Sequence, residues 1–172
     1  AIDLASARNE PAPDTGLISF GEMLDQGRGI CGAVDIPVLG DADTGYGNPM
    51  YVRRTVACYA QAGFAAAMIE DQVAPKRCGH MAGKQVVSRL EARQRIRAAV
   101  DAREAGADVL VLARTDARAE HGFEEALERC RAFADLGADI LFLEAPRSEA
   151  ELEAFCTAFP RLPKMVNLVE DG

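Results

Sequence analysis

The chain has 172 residues, 49% of them hydrophobic, with a formal net charge of -8 and a sequence pI near 4.8. That length and apolar content suffice for one domain around a sizeable core. The acidic balance excludes a nucleic-acid footprint, and no apolar run approaches the roughly 20 residues of a membrane span, so the expected partner is a small molecule.

Residues 1–16, AIDLASARNEPAPDTG, read as loop or turn and supply no strand. The first strand-like run is DIPVLGDAD, residues 35–43. A repeat follows: AGFAAAMIEDQ (62–72), AGADVLVLARTD (105–116) and LGADILFLEAP (136–146) each run from a Gly through a short spacer into an apolar stretch that ends in charge. Each Gly closes a stretch of helical periodicity, as a helix-terminating glycine does. One helix is expected from Ser88, where SRLE has the spacing of a capping box. In another, Phe123, Leu127, Cys130 and Ala134 share one face. PKMVNLVEDG, residues 163–172, is the fifth strand candidate.

Continuous apolar strands alternating with helices indicate an α/β fold with a parallel sheet. A doubly wound sheet calls for a glycine-rich phosphate loop after its first strand, and neither GxGxxG nor GxxxxGK(S/T) occurs. A (β/α)8 TIM barrel instead gathers polar groups at the C-terminal ends of its strands. Asp41, Asp43, Glu70, Asp71, Arg114, Asp116, Glu144 and Asn167 are then expected along one rim. Five βα units cannot close eight strands, and complete barrels take about 250 residues. Residues 1–172 are therefore expected to form a single, incomplete barrel domain that lacks the first strand and the C-terminal strands.

In GDADTGYGNP, Asp41 and Asp43 stand at i and i+2, so on a strand both side chains could face one ion. Hard oxygen ligands suit Mg2+, which keeps much of its water and needs only one or two carboxylates. The plain alternative is a solvated turn. Glu70 and Asp71 at the next strand end favour the metal, because crowded carboxylates repel unless a cation compensates them. Arg114 could bind a carboxylate of the substrate, or simply pair with Glu70 or Glu144.

Cys78 lies among Lys76, Arg77 and His80, and neighbouring positive charge lowers a thiol's pKa. Gly79 and Gly83 give this segment the backbone freedom of a closing loop. The alternative is a basic surface loop with an incidental cysteine. Cys31, Cys58, Cys130 and Cys156 read as packing residues; five scattered cysteines without CxxC spacing suggest a reduced, cytoplasmic setting. With His80 and His121 the only histidines, neither a zinc cluster nor a Ser-His-Asp arrangement is in view.

The motifs DADTGYGN, IEDQVAPKRCGH, LARTDA, FLEAP and VNLVE resemble, in order and spacing, those of the isocitrate lyase and phosphoenolpyruvate mutase superfamily, especially its methylisocitrate lyase-like branch with KRCGH. The resemblance runs from about Pro13 to Gly172. It implies a Mg2+-dependent barrel, with Mn2+ as a substitute, acting on 2-oxo or 2-hydroxy carboxylic acids beneath a Cys-bearing loop. By the same resemblance Asp41 and Asp43 are metal-site aspartates and Glu70 supports the metal's water shell. Cys78 is the catalytic acid/base, with Gly79 and His80 lining the substrate. Arg114, Glu144 and Asn167 are substrate-binding groups, and Asp14 belongs to an N-terminal active-site loop. Residues 1–12 do not match the family's first strand and Ser-Gly substrate loop. Members of the family form homo-oligomers, tetramers among them, through C-terminal helices.

The implied reaction is carbon–carbon cleavage of a 2-hydroxy di- or tricarboxylate such as 2-methylisocitrate. KRCGH also occurs in oxaloacetate hydrolases and a carboxyphosphonoenolpyruvate-type phosphonomutase. Those readings, oxaloacetate decarboxylation and a non-catalytic truncated barrel stay open at the level of sequence.

Overall fold

A computed structural model describes residues 16, 18–77 and 83–167. The described elements are α1 (Phe20–Ala33), β1 (Leu39–Asp41), α2 (Pro49–Ala62), β2 (Ala66–Glu70), α3 (Arg89–Glu104), β3 (Leu110–Thr115), α4 (Ala117–His121), α5 (Phe123–Asp135), β4 (Ile140–Leu143), α6 (Glu149–Ala158) and β5 (Lys164–Met165). The strands pair in parallel in chain order, β1-β2-β3-β4-β5, and form a half-barrel. The expected alternation and all five strands are present. The last is shorter than its sequence run, and residues 168–172 lie outside the described residues.

Helix boundaries follow from side chains that satisfy free backbone groups. Asn48 Oδ1 accepts from the amides of Met50 (2.9 Å) and Tyr51 (3.4 Å), and Pro49 occupies the first turn of α2, where no amide is missed. Gly63 then stops α2 in the left-handed conformation, and Gly106 and Gly137 also have positive φ beyond α3 and α5. At Ser88 the expected capping box is half made. Its hydroxyl accepts from Glu91 N at 3.2 Å, while the Glu91 carboxylate pairs with Arg95 instead. A complete capping box joins Ser19 and Glu22 at the start of α1.

Alternation along the strands sorts side chains onto two faces. Ala67, Ile69, Val111, Ala113, Leu141 and Leu143 belong to the main core, with Val52, Val56 and Tyr59 of α2, Ile96 and Val100 of α3, Leu127, Cys130 and Phe133 of α5, and Phe155 of α6. The other face carries Met68, Leu112 and Phe142, with Ile140 and Met165 against them. Because both faces are covered, the strands read as unbroken apolar runs.

The register places the strand ends side by side: Asp41 beside Met68, Glu70 beside Arg114, and Arg114 beside Phe142. The ladder continues past the strands, with Glu70 N donating to Asp43 O and Glu144 N to Thr115 O, both at 3.0 Å. Asp43, Glu70, Arg114 and Glu144 thus stand along one rim. Among the described residues no helix is long and apolar enough to cross a membrane.

Candidate active site

Asp41 ends β1, but Asp43 is not on a strand. It sits in a turn with φ 50°, its amide donating to Asp41 Oδ1 at 2.9 Å. The two carboxylates converge because of this turn rather than because of a strand pleat. Gly45 follows at φ 89°, where a Cβ would lie 2.4 Å from Val52 Cγ2, so only glycine lets the turn fold back onto α2. The Tyr59 hydroxyl donates to Asp41 O at 2.9 Å and Thr55 Oγ1 to Gly45 O at 3.3 Å, fixing the turn from below. Asp43, Tyr46 (φ 60°) and Ala145 (φ 53°) have left-handed backbones, and all three lie at the rim; such strain gathers where a site dictates the geometry.

The Lys76 ammonium lies 2.6 Å from Asp43 Oδ1 and 3.7 Å from Asp41 Oδ2. Burial alone would lower its pKa, but Asp41, Asp43 and Glu70 more than reverse this and hold it above the usual lysine value. Lys76 belongs to a loop whose base is closed by Val73 N donating to Gln85 O and by an antiparallel bridge between Gln72 and Val86. The Gln72 amide brackets the backbone of Arg77, accepting from its N–H and donating to its carbonyl, both at 3.0 Å.

Arg114 stands at the centre of the inward-facing charges. Its Nε lies 3.4 Å from Glu70 Oε2 and its Nη2 3.7 Å from Glu144 Oε2, while Asp116 receives its hydrogen bonds. Its guanidinium carbon is 5.1 Å from the Phe142 ring centroid, so an apolar floor supports the planar fork. Of the two expectations for Arg114, pairing with Glu70 and Glu144 is present at ion-pair distance, while Asp116, foreseen by neither, takes its hydrogen bonds. Glu70 and Glu144 are 1% exposed, and among the described residues their carboxylate oxygens have no hydrogen-bond partner. Burial pushes the Glu70 pKa well up, with Arg114 opposing and Asp116 and Asp41 adding to the rise.

Asp71 departs from the expected rim. It points to the opposite face, accepting from Thr115 Oγ1 (2.6 Å), Asp116 N (2.9 Å) and Arg129 Nη1 (3.0 Å), the last from α5. It ties the strand ends to a helix and takes no part in the inner cluster. Sequence reasoning missed Lys76 as the aspartates' partner, and Lys84, whose Nζ lies 2.9 Å from Asp116 Oδ1. Both ion pairs depend on how the loop returns to the rim, which local sequence does not carry. Asn167 is exposed beyond β5, and Asp14, Cys78, Gly79 and His80 lie outside the described residues.

Among the described residues, no three of His, Cys, Asp and Glu are gathered tightly enough to hold an ion directly. The oxygen donors nevertheless fit Mg2+. Asp41 and Asp43 present hard ligands to one point, and the orphaned Glu70 oxygens are ready to accept hydrogen bonds from a hydrated cation. A cavity of about 460 Å3, lined partly by Phe64, Arg103, Val109 and Leu110, opens at the opposite, N-terminal end of the strands. The end where barrel chemistry resides is the one carrying the charged cluster.

Comparison with known proteins places this rim in context. A family model described as "Phosphoenolpyruvate phosphomutase" matches residues 3–172. The chain is 45% identical over 167 residues to 2,3-dimethylmalate lyase of Eubacterium barkeri, covering 97% of this chain and 57% of that protein. It is 45% identical over 160 residues to probable 2-methylisocitrate lyase 2 of Corynebacterium glutamicum, covering 93% and 52%. Among solved structures, oxaloacetate acetylhydrolase in complex with 3,3-difluorooxalacetate superimposes with a TM-score of 0.92 at 42% identity, covering 98% of this chain and 58% of that one. Phosphonopyruvate hydrolase, solved with oxalate and Mg2+, superimposes with a TM-score of 0.80 at 32% identity, covering 95% and 56%. The chain thus spans about half the length of the proteins it matches. On the family match over nearly all of its residues, the chain belongs to the phosphoenolpyruvate phosphomutase family, within the superfamily shared with isocitrate lyase.

Proposed function

We propose that the protein is a Mg2+-dependent carbon–carbon lyase that cleaves a 2-hydroxy di- or tricarboxylate of the 2-methylisocitrate or 2,3-dimethylmalate type. One observation carries this reading: Arg114, on its Phe142 floor between Glu70 and Glu144, stands on the same rim as the Asp41–Asp43 pair, two strands away with Glu70 of β2 between them. A carboxylate docked on the guanidinium fork would have its neighbouring carbon near the aspartates. The lyases at 45% identity support the chemistry. In this reading the protein is cytoplasmic, as its scattered cysteines without CxxC spacing suggest, and a homo-oligomer, as the resemblance of its motifs implies.

Asp41 and Asp43 would hold Mg2+, with Glu70 as the acceptor beside them, and the bound ion would supply Lewis-acid stabilisation of charge on the substrate's 2-hydroxy carboxylate. Arg114, held in place through Nε and Nη2 by Asp116, orients one substrate carboxylate with the remaining edge of its guanidinium, beside Glu144. Asp14, Gly79, His80 and Asn167 complete the substrate's surroundings. As the hydroxyl passes its proton to solvent water, its oxygen forms the carbonyl of a 2-oxo acid and the C–C bond breaks. The electron pair passes to the carbon of the other fragment, next to a carboxylate. The Cys78 thiol protonates that carbon and becomes a thiolate.

Oxaloacetate hydrolysis is the second reading, because oxaloacetate acetylhydrolase superimposes as well as 2,3-dimethylmalate lyase does, each with a TM-score of 0.92. Product analysis of the full-length protein with 2-methylisocitrate, 2,3-dimethylmalate and oxaloacetate, with and without Mg2+, separates the two. Metal-dependent formation of pyruvate and succinate from the first, or of pyruvate and propionate from the second, establishes the lyase. Oxalate and acetate from oxaloacetate establish the hydrolase, and no product from any of the three rejects both.

A further inference from the structure

The buried lysine at the aspartate pair has no role in the chemistry above. We propose that Lys76 is a tethered counterion for Asp41 and Asp43, and that a divalent cation gains these carboxylates only by exchanging with its ammonium. Lys76 thereby sets the metal affinity of the protein. This inference rests on the metal-site reading above.

Three observations support the exchange. The Lys76 Nζ contacts the two carboxylates that would face the cation, at 2.6 Å from Asp43 Oδ1 and 3.7 Å from Asp41 Oδ2. Lys76 is only 6% exposed, so its charge is placed there by the fold rather than resting on the surface. Its stem is held as well: a Cβ on Gly16 would lie 3.3 Å from Lys76 Cγ, and the next residue, Arg77, is gripped at both backbone polar groups by Gln72. An ammonium is a compact point charge without directional demands, which suits it to replace an ion between carboxylates. It cannot remain there with the ion, because Mg2+ sits about 2.1 Å from its ligand oxygens and the two cations would repel across a few ångströms in a poorly screened site. A site whose competent form must first be freed binds its ligand more weakly by the fraction that is free.

The test is Mn2+ binding, followed by the electron paramagnetic resonance signal of free Mn2+, in full-length wild type, Lys76→Met, Lys76→Arg, Arg77→Met and the Asp41→Asn/Asp43→Asn pair. Lys76→Met is expected to tighten Mn2+ binding by about tenfold or more, whereas Lys76→Arg, which keeps the charge, stays near wild type. Arg77→Met removes one positive charge from an exposed neighbour and is expected to have less than about a twofold effect. In the wild type, saturating Mg2+ should also increase acetylation of Lys76 relative to Lys164, read by mass spectrometry. Unchanged or weaker Mn2+ binding in a cooperatively melting Lys76→Met protein overturns the proposal. An equal gain in Arg77→Met overturns it too, because long-range charge would then be the whole effect. Should Lys76→Met fail to fold, Lys76 acetylation that ignores Mg2+ in the wild type is the overturning result. Loss of metal dependence at an earlier level is distinguishable: Mn2+ binding that survives in the double Asn variant, or is missing from the wild type and Lys76→Met alike, rejects the metal site itself.

Discussion

Arg114 and Asp116 face each other around the end of β3, Nε to Oδ2 at 2.8 Å and Nη2 to Oδ1 at 3.0 Å, and Lys84 donates to the same Oδ1 at 2.9 Å. Burial alone would raise the Asp116 pKa, but Arg114 and Lys84 overcome it and hold the carboxyl below its usual 3.8. Its stabilising effect is therefore complete above pH 3.8 and lost as pH falls through the depressed folded-state value. Asp116→Asn takes from buried Arg114 and Lys84 the carboxylate they share and should cost about 3–5 kcal/mol in urea unfolding at neutral pH. The gap between variant and wild type should hold down to roughly pH 4 and narrow below it.

Asp71 and Arg129 form the corresponding pair on the helix side, 3.0 Å apart and almost wholly buried. Here burial prevails: the Asp71 pKa is raised in spite of hydrogen bonds from Thr115 and Asp116 N and the charge of Arg129. A raised folded-state pKa means that the ionised carboxylate disfavours folding at neutral pH, an effect relieved as pH falls through that value. Arg129→Met removes the compensating charge and should destabilise by about 3–5 kcal/mol at neutral pH. Chemical denaturation followed as pH is lowered from neutrality should show the difference shrinking, because protonating Asp71 removes the orphaned charge.

The parallel half-barrel was legible because its strands are apolar on both faces and each is followed by charge, as in AAMIE, LVLART and ILFL. Asp41, Asp43, Glu70, Arg114 and Glu144 could be placed at one rim for the same reason. The direction of Asp71 was also available, since Met68 inward puts Glu70 inward and Asp71 outward. Proximity in sequence hid it. The partners of Lys76 and Lys84 were not legible, because Lys84 meets Asp116 across 32 positions and the contact depends on the path of the loop. The run ending in GDAD allows Asp43 either a strand end or a turn, and its left-handed conformation is decided only where Gly45 packs on Val52.

Gly45→Ala tests that turn. A methyl group 2.4 Å from Val52 Cγ2, on a backbone at φ 89°, must displace either α2 or the turn. The expected loss is about 1–3 kcal/mol in thermal or urea unfolding, from left-handed strain and overpacking together. Because the turn carries Asp43, Mn2+ binding should weaken in the same variant, which isothermal titration can measure.

Cys78→Ser tests the acid. A hydroxyl is a much poorer proton donor than a thiol, so kcat should fall about 10²- to 10⁴-fold with the lyase substrate. Mn2+ affinity should stay within error, since the metal carboxylates come from another strand end. Unchanged turnover would reject Cys78 as the proton donor.

Glu70 and Asp71 are adjacent in the chain, yet the pleat of β2 sends one carboxylate toward Arg114 on the inner face and the other toward Arg129 of α5. The same chemical group thus answers to two different selections one residue apart. A library scored for survival of the fold should forbid changes at Asp71 while accepting many at Glu70, and a library scored for turnover should reverse the leniency at Glu70. Two neighbouring codons of identical polarity would then separate architecture from chemistry in this protein without a ligand in view.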